Sequence, residues 1–372
     1  MRKRRIFGSN TFRLNFKELV IAGVIIVAGI LFLLPFVWGK IEKLQTGNEF
    51  RISYDFRDDY WVYQKWAENA AKEYPVIFIG DSVVWGMYVD NSSTLPAKIN
   101  RKLNRQAVAN LAVDGMHNVA LEGLLKNYGS AIRNKTVILH YNPLWMNSRK
   151  YDLSDDEEMQ VHHPRLIPQF SPKYKCYTES FSGRLNICRE RSIPFFSLLN
   201  HIRLAFFKNE ELNQWMIDNP YKSPFSQIAM TVDPGEKEKK NGGESWKQQG
   251  ISAQDWAWVS LDKSYQWQAF TRVVKLLKER GNRVCVMVGP LNPYMLTPAS
   301  LDKFRKIQQD ICAWLKNQNI EYMLVPDLPS EMYADASHPL DKGYDLIADT
   351  LLQSPIFTPY IKPGAALCSV KK

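Results

Sequence analysis

The chain has 372 residues, 45% hydrophobic and 23% charged, with a net charge of +10. That balance excludes wholesale disorder, and the length suits one large domain with insertions. The basic excess is no sign of nucleic-acid binding, because no dense Lys/Arg stripe interleaved with aromatics runs through the body. Arg2, Lys3, Arg4, Arg5, Arg13 and Lys17 instead sit ahead of an apolar run.

That run, residues 19–38, carries no charged side chain. It has about the ~20 residues needed to cross a hydrocarbon core. A cleaved signal peptide is the rival reading, with an apolar core of roughly 7–15 residues and a small-residue cleavage site. Trp38-Gly39-Lys40-Ile41-Glu42 follows here, so a retained anchor is expected. Positive-inside bias then puts residues 1–17 in the cytoplasm, 18–39 in the membrane and the rest outside. Residues 40–74 read as a stalk and a leading helix, and 75–372 as the extracytoplasmic domain.

Within that domain strands and helices alternate. Residues 76–79 read as a buried strand, and 95–103 as a helix capped by Thr94 with Pro96 in its first turn. A second strand is expected over 107–113 and a helix over 119–132, with Leu121, Leu124, Leu125 and Tyr128 on one face. TVILHY, 136–141, is a third strand. Residues 143–260 break the rhythm and read as an insertion, with a helix over 195–207 and a polar stretch at 233–249. The alternation resumes with a helix at 265–280 ending at Gly281, a strand at 283–288, a helix at 301–316, a strand at 320–325 and a helix at 340–352. Such alternation predicts a five-stranded parallel sheet with helices on both faces, a three-layer α/β/α domain.

Gly80-Asp81-Ser82 closes the first strand, and Asp335-Ala336-Ser337-His338 lies between the last strand and the last helix. The carboxyl ends of strands form the ligand crevice of open α/β sheets. A serine needs a base to become a nucleophile, and the base needs an orienting acid. Gly115 follows the second strand and Asn142 the third. In this arrangement the chain resembles the SGNH (GDSL-type) hydrolase superfamily over residues 75–142 and 264–352. It departs from that family's usual Gly-x-Asn-Asp motif, since Tyr141 precedes Asn142 and Pro143 follows it.

The resemblance implies a flavodoxin-like sheet and catalysis by Ser82, His338 and Asp335. It also implies an oxyanion hole built from the amides of Ser82 and Gly115 and the side chain of Asn142. Each site residue has a plainer reading: Ser82 as a helix cap, Asp81 as a turn-shaping residue, His338 as a helix-start residue. Trp85, His117 and Asn292 are weaker candidates for substrate contact. For them the alternatives are packing, a surface position and a turn role.

Membrane-anchored SGNH proteins that work with polysaccharide O-acetylation or teichoic-acid D-alanylation machinery look similar in layout. By that likeness the expected task is ester hydrolysis or O-acyl transfer on a cell-envelope glycan, beside a multi-span membrane acyltransferase. A non-catalytic assembly protein and a lipid esterase or thioesterase are the alternatives. No cofactor is expected, since there is no phosphate-cradling glycine loop. No metal set is expected either: the cysteines lack zinc-ligand spacing, and His162-His163 has no acidic partners at ligand spacing. Cys176 and Cys188 share one loop-rich segment and are read either as a disulfide or as two free thiols.

Overall fold

The computed structural model describes residues 14–237 and 243–361. The basic residues from Arg2 to Arg13, the middle of the 233–249 stretch and Cys368 lie outside the described residues. The apolar run is one helix, α1 (Phe16–Ile41), with a π-helical turn at Gly29–Leu33. Asn15 and Glu18 close a capping box at its start. Among the described residues it is the one helix long and apolar enough to cross a membrane. After it, the stretch read as a stalk supplies α2 (Tyr60–Glu73), capped by the Asp59 carboxylate.

The core is a parallel sheet of β1 (Val76–Ile79), β2 (Val108–Asn110), β3 (Thr136–Tyr141), β4 (Arg283–Val288) and β5 (Glu321–Leu324). Its spatial order is β2-β1-β3-β4-β5. Near-continuous apolar strands such as VIFI and RVCVMV suit a sheet covered on both faces. The period of two sorts them. Ile77, Ile79, Val137, Leu139, Val286 and Val288 enter one core. Val76, Phe78, Ile138, Cys285 and Met287 enter the other. The first core is roofed by α2, by α5 (Asn118–Tyr128), α9 (Tyr265–Glu279) and α10 (Pro298–Asn317). The second is roofed by α4 (Leu95–Lys102) and α11 (Asp341–Gln353), with Phe357 and with Tyr360 and Ile361 of α12 (Thr358–Ile361). Burying a side chain such as Ile77 or Phe78 is worth about 1.5–3 kcal/mol.

Several local signals act as read. Thr94 Oγ1 accepts from the Ala97 amide, and Pro96 sits in the first turn of α4. Gly281 takes φ 75° just beyond α9. The remaining short helix of the sheet region, α3 (Ser82–Trp85), starts directly after β1.

The 143–260 segment carries α6 (Phe181–Ser192), α7 (Pro194–Phe207) and α8 (Leu212–Asp218). Thr231–Val232 pairs in parallel with Lys43–Leu44, just beyond α1. A disulfide between Cys176 and Cys188 is corrected: both are free thiols. Cys176 is fully buried with Sγ against the Leu153 carbonyl at 3.5 Å, and Cys188 sits on α6.

Candidate active site

The site grows from the exit of β1. A Cβ on Gly80 would lie 2.8 Å from the Cβ of His140 on the neighbouring strand, so only glycine lets the chain pass here. Asp81 then caps α3, its Oδ1 accepting from the Val83 amide at 3.0 Å. This is the turn-shaping role read from sequence, and the structure adds more to it. Asp81 Oδ2 accepts from Asn142 Nδ2 and from Trp145 Nε1, each at 2.9 Å. Its Oδ1 also faces His140 Nδ1 at 3.0 Å, while His140 Nε2 donates to the Gly289 carbonyl at 2.9 Å. Burial alone would raise the Asp81 carboxyl; His140 and the donors hold it down at about 2.

Ser82, at the start of α3, is 8% exposed. Its Oγ is 2.8 Å from His338 Nε2. On the far side of the ring, His338 Nδ1 lies 2.8 Å from both oxygens of Asp335. A carboxylate at Nδ1 places the proton there, leaving Nε2 to accept from Ser82. Burial depresses the His338 pKa, but the Asp335 carboxylate outweighs it and holds it above the ordinary imidazole value. Asp335 goes the other way: burial would raise it, and His338 with two backbone amides brings it to about 2. Those amides belong to Ser337 and His338, at 3.0 and 2.9 Å from Oδ1.

Two further residues fix this loop. Tyr88 donates to Asp335 Oδ2 at 3.1 Å and sets its ring edge-on to His338, 5.5 Å between centroids. Asn292 Nδ2 donates to the Asp335 carbonyl at 3.1 Å, and its amide to the Ala336 carbonyl at 2.8 Å. On the serine side, the buried Arg51 donates to the carbonyls of Trp85, Gly86 and Val89 and stacks over the Trp85 ring at 4.2 Å.

The predicted oxyanion donors fare differently. Gly115 takes φ 69°, a conformation reserved in practice for glycine, in the loop after β2. No hydrogen bond holds the amide of Ser82 or Gly115 among the described residues. Asn142 is committed elsewhere: its two amide hydrogens go to Asp81 Oδ2 and, at 3.3 Å, to Ser337 Oγ.

The three weaker candidates for substrate contact are all buried. Trp85 is 1% exposed, packed in the core with Nε1 bonded to the Ile52 carbonyl. Asn292 is fully buried and spends its polar atoms on its own turn and the Asp335 loop. His117 is neither a surface residue nor an open pocket wall. It caps α5 through Nδ1, reaches the His162 carbonyl through Nε2 and is 1% exposed. Burial pushes its pKa down to about 3, so it stays neutral.

Sequence reasoning missed Tyr88, Trp145 and the Asp81–His140 pair. His140 left one signal, a polar residue inside the apolar strand TVILHY. Trp145 meets the rings of His117, Tyr151 and His162, at 5.7, 5.9 and 6.4 Å between centroids. The chain matches no known family model, and no curated protein matches its sequence.

Proposed function

We propose that the chain is a membrane-anchored serine esterase or O-acyltransferase of SGNH type, acting on acyl groups of a cell-envelope glycan. The single observation that carries this is the relay from Ser82 Oγ through His338 to Asp335, with 2.8 Å at each junction. The strand order, 2-1-3-4-5 when counted along the chain, supports a flavodoxin-like arrangement. In this reading α1 is the anchor, the amino terminus is cytoplasmic and the domain faces outward, beside a multi-span membrane acyltransferase.

The chemistry follows from the relay. Ser82 Oγ attacks the acyl carbonyl and its proton passes to His338 Nε2. The tetrahedral intermediate collapses, breaking the bond to the leaving alcohol, which takes the proton from His338. Water or a sugar hydroxyl then gives its proton to His338 and attacks the acyl-serine; the acyl–Oγ bond breaks and His338 returns the proton to Ser82 Oγ. Throughout, Asp335 stays ionised and steadies the imidazolium. The amides of Ser82 and Gly115 are the oxyanion donors of this scheme. Asn142 joins them by releasing its long bond to Ser337. No step calls for a cofactor.

The test is direct. The full chain in mild detergent should hydrolyse p-nitrophenyl acetate and release acetate from an O-acetylated glycan. Ser82→Ala should lower both by about 10⁶-fold with unchanged thermal stability. An inert wild type would favour the second reading, a non-catalytic assembly protein. That reading draws on the Asn142 amide, both of whose hydrogens are already engaged.

A further inference from the structure

A cavity of about 750 Å³ opens where α1 meets the folded domain, between α1, α2 and the start of α7. Its two ends differ in chemistry. One end is lined by Phe32, Pro35, Phe36 and Pro194. Phe32 lies six residues before Trp38, about 9 Å deeper along the helix at ~1.5 Å per residue. Helix α7, PFFSLLNHIRLAFF, packs along Gly29–Leu33 and Leu34–Ile41, so its apolar first turn sits at that depth. The rest of the lining is basic, Lys40, Lys43, Lys65 and Lys72 with Glu42 and Glu68, and it meets the apolar part where Lys40 Nζ lies 5.6 Å from the Phe36 ring centroid.

Four lysines against two acids leave this end with a net positive charge. Glu42 is buried and already spent: Lys65, His201, Trp38 and Trp61 all bond its carboxylate. Glu68 accepts from Gln64. Lys40, Lys43 and Lys72 have no ion-pair partner among the described residues. A soluble anion would satisfy these cations and leave the Phe32 and Phe36 rings bare. A neutral lipid would cover the rings and leave the ammonium groups unanswered. An anionic amphiphile meets both ends, and the volume falls within the ~300–1,000 Å³ of ordinary ligand sites.

We infer that this cavity holds one anionic phospholipid, its phosphate among Lys40, Lys43 and Lys72 and an acyl chain against Phe32, Phe36 and Pro194. The inference rests on reading α1 as a membrane anchor. It assigns the joint between helix and domain a bound lipid, independent of the Ser82 chemistry.

The experiment uses the full chain in nanodiscs of phosphatidylcholine with a minority of phosphatidylglycerol, followed by native mass spectrometry during stepwise delipidation. Wild type should keep one phosphatidylglycerol after the bulk lipid is gone. The triple variant Lys40→Gln, Lys43→Gln, Lys72→Gln should retain it about a hundredfold less, since each lysine beside an anionic headgroup is worth about a factor of five. Stripped of lipid, its melting temperature should match wild type, as should its ester turnover, because none of the three touches the Ser82 site. Excess inorganic phosphate should leave the lipid in place. Equal retention by the triple variant, or displacement by inorganic phosphate, would overturn the inference while leaving the anchor reading intact. Release of the chain from whole membranes by alkaline carbonate would overturn the anchor reading itself, and the lipid site with it.

Discussion

His338 carries the proton that the proposed reaction moves, so its environment sets the pH dependence. The base must be neutral to accept from Ser82. Because Asp335 raises its pKa, His338 stays protonated to a higher pH than a free imidazole. Activity should therefore fall as pH drops through a value above the ordinary ~6.5. Asp335→Asn removes the raising charge and leaves the burial that depresses the ring. Its acid limb should move below that of wild type, with kcat lower by about 10⁴-fold. A kcat/KM profile over pH checks both; an unmoved limb would separate Asp335 from the reacting imidazole. Asn142→Ala splits two roles. An oxyanion donor lost there lowers kcat about 10²–10³-fold with KM unchanged. A purely structural Asn142 would show in the melting temperature, since Asp81 and Ser337 each lose a bond. We expect the kcat effect to dominate.

At the scale of elements, α1, α2 and α7 meet at one buried ion cluster. His201 on α7 is fully buried between Glu42 Oε1 at 2.7 Å and Asp59 Oδ2 at 2.8 Å. Burial works against the His201 charge, but the two carboxylates win and raise it to about 9. Glu42 is brought down to about 2, its burial outweighed by His201 and the indole donors. The signs set a window. The His201 contribution to stability is complete below the unfolded value of ~6.5 and lost as pH rises through about 9. The Glu42 contribution is present above ~4.5 and lost as pH falls through about 2. His201→Ala removes the cation between two buried carboxylates, leaving Glu42 to Lys65 and the indoles and Asp59 to the Val62 amide, and should cost about 3 kcal/mol near neutral pH, read by denaturant unfolding in detergent. A loss confined to the alkaline side, or none, would contradict this joint. Its meaning for the molecule is a rigid seat: α1 does not hang on a flexible tether but ends inside a packed cluster.

Over the whole molecule, every strand of the sheet delivers a site residue to the same edge, and β5 delivers two. Ser82 follows β1, Gly115 β2, Asn142 β3, Asn292 β4, and Asp335 with His338 β5. Much of this was legible in the chain. Strands buried on both faces are continuous apolar runs, so 76–79, 136–141 and 283–288 are read to the residue. Amphipathic helices such as α9 and α11 declare themselves by period. What the sequence hid has physical causes. The apolar residues of α6, Phe181, Leu185 and Ile187, fall on no single helical face, so no period marks it. Tyr88 and Trp145 act through contacts made across the fold, and nothing local distinguishes them from packing residues. The Asn292 turn was read in the right place, but its bond to the Asp335 carbonyl joins segments 43 residues apart and has no sequence signature.

The central claim is that the Ser82 hydroxyl is activated by His338. Mapping the adduct of a fluorophosphonate probe on the full chain by peptide mass spectrometry tests it most directly. Wild type should carry one phosphonylated residue, Ser82, and His338→Ala none. An unlabelled Ser82 in folded wild-type protein, or labelling that persists without His338, would contradict it.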